Sequence, residues 1–339
     1  MSDLALPILA FDFGGTRGRC CLGATDGTYK HVVGFERGHD DDGASWLRRL
    51  VSAGREIRQH TDKLSIVSVS FGGPVTPEGR VVSMHVPGWE NVDLVREMTL
   101  AFGAPVVVEN DANSGALGEH RFGAGRGARY MAFFTVSTGI GGGVILDNKL
   151  YRGAHGMAAE FGHMVMHPGP NAPQYAAGKP GILEALASGP AIGRDGSIAR
   201  EKLGTKISRK PQLFTEMEAK LGMLTAKDVF DAAQKKEAWA LEVRDNAVNN
   251  LARGVAAVIC AYDVERVVIG GGVASAGDTL FVPLRKAVSH YLPTFLDGKT
   301  DIVQSSLGDL APILGAIATA SERLAVGATR PIDHTAFED

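Results

Sequence analysis

Two segments of this chain, 8–23 and 131–146, share one outline: an apolar run, a glycine-rich turn and a returning strand-like run. In the first, Leu4 to Phe13 reads as a buried strand, Gly14-Gly15-Thr16 as the turn and Gly18 to Gly23 as the return. In the second, Met131 to Val136 leads through Ser137-Thr138-Gly139 and Gly141-Gly142-Gly143 into Val144-Ile145-Leu146. Turns without β-carbons let backbone N–H groups approach an anion closely, and a threonine hydroxyl adds a donor. One such unit in each half of a 339-residue chain fits two domains, each with its own core.

The second turn is followed by Glu160-Phe161-Gly162-His163. A carboxylate accepts hydrogen bonds and a neutral imidazole both donates and accepts, which suits a ligand rich in hydroxyls. The stretch Ser137 to His163 therefore joins a phosphate chemistry to a polyol chemistry. A net charge of −3 offers no basic stripe for nucleic acid. Cys20, Cys21 and Cys260 form no disulfide framework, and no segment reads as a signal peptide or membrane span. A cytoplasmic protein with neither nucleic-acid nor membrane partners is expected.

Strands and helices alternate along the rest of the chain. Strands are expected at Tyr29 to Glu36, Leu64 to Phe71, Val81-Val82, Pro105 to Val108, Val264 to Ile269 and Asp301 to Ser305. Helical spacing marks Trp46 to His60, Asp93 to Phe102, Gly181 to Ala187, Ala226 to Lys236, Ala238 to Tyr262, Leu280 to Tyr291 and Pro312 to Ala325, and 193–220 is read as helical. Gly72-Gly73 and Gly270-Gly271-Gly272 close two strands, the position where open α/β sheets seat ligands. Asp12, ending the first strand, is placed to hold Mg²⁺ through water. Asp111, in Glu109-Asn110-Asp111-Ala112-Asn113, stands where a strand opens into a helix. It suits a helix N-cap as well as a general base that accepts a hydroxyl proton.

Taken together, Asp12-Phe-Gly-Gly-Thr16, Glu109 to Asn113, Ser137 to Gly143, Glu160 to His163, Leu183-Glu184 with Ser188-Gly-Pro190, and Gly270 to Gly272 resemble the ROK family of sugar kinases and repressors. The resemblance spans Ala5 to Leu324. It implies an α/β, two-lobed actin-like ATPase (ribonuclease H-like) fold with mixed central sheets flanked by helices. It places an N-terminal lobe at 1–118, completed by a C-terminal helix in 312–339, and a larger lobe at 119–311. Carried onto this sequence, it makes Asp111 the general base, and Asn110, Glu160, His163 and Glu184 the sugar's hydrogen-bonding partners with backbone near Gly73. Gly14, Gly15, Thr16, Arg17, Thr138, Gly139, Gly141, Gly142 and Gly143 would hold the triphosphate of ATP, with Gly271 and Gly272 bordering the nucleoside. The implied reaction is ATP-dependent phosphorylation of a hexose, glucose at its 6-hydroxyl before fructose, mannose, allose or an N-acylated hexosamine. Relatives are often dimers.

Two departures matter. Many ROK members bind structural zinc through the histidine of the Gly-His pair and three cysteines. Here Tyr175, Ala177 and Ile182 stand at the thiolate positions while Gly178 and Gly181 keep the glycine spacing. Structural zinc is therefore not expected, and His163 is left for the sugar. The segment 168–180 is expected to be held by packing, with Tyr175 as an anchor. His85 replaces an asparagine frequent before Pro-Gly-Trp, which bears on sugar preference. A repressor is not expected, because the first strand begins within ten residues of the start and leaves no room for a DNA-binding segment.

Overall fold

The strand β1 (Ile8–Phe13) is buried along its whole length, as a strand covered on both faces must be. It pairs antiparallel with β2 (Arg17–Gly23) and parallel with β4 (Ile66–Phe71). With β3 (Tyr29–Glu36) beside β2 and β5 (Val106–Asn110) beside β4, the first sheet runs β3-β2-β1-β4-β5. The computed structural model describes residues 6–38, 40–83, 86–169, 172–174, 179–204 and 223–327.

The second sheet contains β6 (Met131–Val136), β7 (Ile140–Leu146), β8 (Lys149–Leu150), β9 (Arg266–Gly270) and β10 (Asp301–Gln304), in the order β10-β9-β6-β7-β8. Counted from its own first strand, it repeats the order of the first sheet. An antiparallel hairpin again stands beside two parallel neighbours. The echo between 8–23 and 131–146 is thus the visible part of a repeated sheet topology. The fold is α/β, with two mixed sheets flanked by helices.

Contacts divide the described chain into two compact units. The first takes the residues up to Arg126, Leu150–Ala158, and those from Asp309 onward; the second takes Gly127–Lys149 and Ala159–Gly308. In the first unit α1 (Gly43–Arg58) starts at an Asp42 N-cap that accepts from Ser45 N, and it buries Trp46, Leu47, Leu50 and Ile57. Phe13 and Phe71 meet the Trp89 ring edge-on, at centroid distances of 5.7 and 5.1 Å, so an aromatic cluster lies beneath the ends of β1 and β4. The helix α2 (Leu94–Phe102) follows, then α3 (Asp111–Phe122). The late helix, Ala311–Ala325, packs on α3 so closely that a β-carbon on Gly315 would collide with the Ser114 carbonyl oxygen.

The second unit holds α4 (Leu183–Ala187), α5 (Gly189–Lys202), α6 (Ala226–Gln234), α7 (Ala238–Tyr262) and α8 (Asp278–Tyr291). Ala311–Ala325 is then α9. The buried side of α7, from Ala240 through Val248 and Val255 to Ile259, supplies much of that unit's core. Val81, expected in a short strand, makes only an isolated bridge with Val75. The helical reading of 193–220 holds as far as Lys202 in α5, and 205–220 lies outside the described residues. Among the described residues no helix is long and apolar enough to cross a membrane.

Candidate active site

In the first unit the turns after β1, β4 and β5 lie side by side because those strands are neighbours and parallel. A methyl group placed on Gly72 would sit 2.9 Å from Phe13 O, 3.5 Å from Gly14 Cα and 3.7 Å from Asp111 Oδ2. The carboxylate of Asp111 therefore looks across the Gly72 backbone toward the hairpin turn Gly14–Thr16. Asp111 is half-buried, and its Oδ1 accepts from Ala112 N at 2.8 Å. The helix cap is Asn110, not Asp111: Asn110 Oδ1 accepts from Ala112 N and Asn113 N at 3.0 Å each. Its Nδ2 donates to Gly73 O at 3.0 Å and to Asp111 Oδ1 at 3.2 Å. All four hydrogen-bonding positions of that amide are thus occupied, and Asn110 ties Gly73 to the acid.

Asp12 is buried and held from two sides. Arg19 Nε donates to Oδ2 at 3.0 Å and Ser70 Oγ to Oδ1 at 3.2 Å. Burial is the largest influence on its carboxyl and pushes the pKa up; Arg19 and Ser70 oppose it, and Asp309 adds to it. Gly14 and Gly15 are half-buried, Thr16 and Arg17 exposed. Arg17 reaches Glu36 only at 3.9 Å, with both side chains 80% exposed, a pairing worth little.

Beneath Asp111 lies a carboxylate that sequence patterning did not single out. Glu109 is 5% exposed and accepts from Asn110 N at 3.0 Å, Asn113 Nδ2 at 3.0 Å and Arg152 Nε at 2.7 Å. Arg152 belongs to the excursion 150–158, which the contacts assign to the first unit. No local signal links positions so far apart in the chain.

In the second unit the β6–β7 turn is Ser137–Gly139, closed by Ser137 N donating to Gly139 O at 2.8 Å. Gly189 N donates to Ser137 O at 2.8 Å, and a methyl on Gly272 would lie 3.8 Å from Ser137 Oγ. The start of α5 and the turn after β9 therefore meet the β6–β7 turn. Gly271 has φ +84° beside the Val136 backbone, a place where a side chain would be strained as well as crowded. One reading is corrected here. Gly141, Gly142 and Gly143 are not part of the turn but lie inside β7, paired with Thr135, Phe134 and Phe133. Gly142 and Gly143 are buried, and Gly142 leaves room for the Phe161 ring and Ala159 O. Gly142 therefore serves packing, and the turn itself is Ser137–Gly139, with the half-buried Gly141 at the start of the strand that leaves it.

Glu184 Oε2 accepts from Ile140 N at 2.8 Å, and a methyl on Gly139 would lie 2.5 Å from that oxygen. Glu160 feels both neighbours electrostatically. The residue as a whole is exposed, but loss of solvent around its carboxyl foremost raises the pKa, His163 opposes, and Glu184 raises it further. Glu184 thus lies against the Ser137–Gly139 turn, and Glu160 is within electrostatic reach of both Glu184 and His163.

The segment near the altered zinc positions is secured in part by backbone. Gly181 O accepts from Met166 N at 2.8 Å and His167 N at 3.0 Å, and Gly181 N donates to Pro173 O at 2.7 Å. Ile182 is 1% exposed and packs with Ala185. Tyr175, Ala177, Gly178 and His85 lie outside the described residues.

The chain is similar to known proteins over nearly its whole length. A glucokinase of Thermotoga maritima is 36% identical over 322 residues, covering 94% of this chain and 98% of that one. Among solved structures, a ROK hexokinase from Thermus thermophilus is similar with a TM-score of 0.80 at 28% identity, over 95% of this chain and 100% of that one. A ROK family glucokinase from Streptomyces griseus, in complex with glucose and AMPPNP, gives a TM-score of 0.75 at 26% identity, over 92% and 98%. The ROK family profile itself matches residues 8–323, a span that takes in both glycine turns, Asp111, Glu160, His163 and Glu184, so the chain belongs to the ROK family.

Proposed function

We propose that this chain is an ATP-dependent hexose kinase that transfers the γ-phosphoryl group to the 6-hydroxyl of glucose. The observation that carries the reading is the position of Asp111 Oδ2, across Gly72 from the glycine turn after β1. Similarity to a glucokinase over nearly the whole chain supports the same substrate class. In the proposed reaction the sugar O6 forms a bond to the γ-phosphorus as the bond to the β–γ bridging oxygen breaks. Asp111 takes the hydroxyl proton, and ADP and the sugar 6-phosphate leave. Mg²⁺ bound with ATP neutralises charge on the phosphates. Asp12, held by Arg19 and Ser70, keeps an acceptor site on each oxygen that could receive a water of the cation's hydration shell. Glu160, His163 and Glu184 receive and donate hydrogen bonds to the ring hydroxyls, and a wrong epimer leaves one of them unpaired.

A panel of glucose, mannose, fructose, allose and N-acetylated hexosamines with ATP, read by coupled ADP release, tests the proposal. Glucose should give the highest kcat/KM. A hexosamine in first place would move the substrate, and no sugar-dependent ADP release would end the kinase reading.

The raised pKa of Glu160 has a pH consequence. The ionised acceptor is lost as pH falls, and it is lost at a higher pH than for an ordinary glutamate. The KM for sugar should therefore climb on the acid side in the wild type. Glu160→Gln should weaken sugar binding about tenfold and flatten that limb, because the amide mimics the protonated acid. Glu184→Gln should also weaken sugar binding. Unchanged sugar affinity in both variants, measured by calorimetry, would take these residues out of the site.

A further inference from the structure

A glycine turn attracts an anion only if its carbonyl oxygens point away from it, since each carbonyl repels the charge its neighbouring N–H attracts. In the turn after β1, every carbonyl from Phe13 to Thr16 is engaged within the first unit. Gly72 N donates to Phe13 O at 2.8 Å, and Trp46 Nε1 donates to Gly14 O at 3.3 Å. Arg37 engages the next two: its Nε donates to Gly15 O at 2.7 Å and its backbone N to Thr16 O at 2.8 Å. Among the described residues, by contrast, no protein acceptor meets the N–H of Gly15 or Thr16.

Arg37 is itself fixed. Its Nη1 donates to Asp41 O at 2.9 Å, while the Asp41 carboxylate accepts from Gly38 N at 2.7 Å and pairs with Arg49 Nε at 2.9 Å. The guanidinium thus bridges the turn to the segment that leads into the Asp42 cap of α1. Trp46, on that helix, is 1% exposed and cannot swing away without opening the core.

We infer that Arg37, seconded by Trp46, is a positioning residue that turns the Gly14–Thr16 carbonyls inward and so aims the Gly15 and Thr16 amides at the nucleotide's phosphates. The inference deepens the kinase reading and rests on it. It needs a bidentate donor at position 37, not merely a positive charge.

Arg37→Ala, Arg37→Lys and Trp46→Phe would be compared with the wild type in two measurements. One is kinetics with ATP and glucose varied separately; the other is calorimetric titration with MgADP. Arg37→Ala should raise both the KM for ATP and the Kd for MgADP about tenfold, and leave the KM for glucose within about twofold. Arg37→Lys keeps the charge but cannot bridge Gly15 O and Asp41 O, so it should recover only a minor part of the loss. Trp46→Phe should shift MgADP affinity the same way by less, its bond being the longest of the set. Full recovery by lysine would reduce the effect to net charge and overturn the inference. So would unchanged MgADP affinity in a folded Arg37→Ala protein, or equal rises in both KM values. A wild type that binds MgADP but phosphorylates no sugar would sink the kinase reading while leaving the titration of Arg37 variants informative.

Discussion

Asp111→Asn should lower kcat by about two to four orders of magnitude while sugar affinity stays within a few-fold of wild type. The substitution keeps the size of the side chain and an oxygen able to accept from Ala112 N, so the local backbone has no reason to move. It also leaves the helix cap intact, because that duty falls on Asn110. What disappears is the basic oxygen facing Gly72, and with it the acceptor for the substrate's proton. Losing a negative charge at the start of α3 should cost about 0.3–1 kcal/mol of stability, far too little to account for the lost rate by unfolding. Steady-state turnover by coupled ADP release, beside calorimetric titration with glucose, separates the two effects. Weaker glucose binding with near-normal turnover would make Asp111 a clamp for the sugar and leave the base unassigned.

Much of this site was legible because its parts are local. A strand ending in Gly-Gly or Gly-Gly-Thr advertises a turn, and the doubled hairpin foreshadowed a sheet order that both units share. Even the Asp12–Arg19 pair is latent in the hairpin, since the register sets those residues directly opposite. Other features depend on what packs against them. Asn and Asp are comparable N-caps, so the string Asn110-Asp111 does not say which one caps α3. The fold chooses Asn110, whose amide also reaches Gly73 O on the neighbouring turn. Glycines are poor strand formers, and Gly141–Gly143 read as turn until Phe161 is found occupying the space beside Gly142. The partnership of Glu109 with Arg152 joins positions with no shared period or motif, and only tertiary structure brings them together.

That partnership underlies the second large effect. Glu109→Ala should destabilise the protein by about 3 kcal/mol and reduce turnover, and Arg152→Ala should cost a comparable amount. Both costs follow from burial, by different routes. The Glu109 side chain is 7% exposed and that of Arg152 45%, so removing Arg152 strands a buried carboxylate without its counter-charge. Removing Glu109 frees a guanidinium that can return to water, but its other partners cannot follow. Asn113 is 1% exposed, and its Oδ1 has no hydrogen-bond partner among the described residues, so removing its Nδ2 acceptor strands the amide in the core. The loss also frees Asn110 N, one residue before the proposed base, and loosens the support on which Asp111 is aimed. Glu109→Gln is the discriminating variant. It retains an oxygen for Asn113 and Asn110 but can turn an N–H₂ toward Arg152, so most of the stability should return. If the role is to aim Asp111, turnover should recover with it, and the double variant with Arg152→Ala should show little further loss. Chemical denaturation midpoints with kcat for the same proteins would decide. Equal, small losses from Glu109→Ala and Arg152→Ala would mean that this network is ordinary surface pairing and that something else holds Asp111 in place.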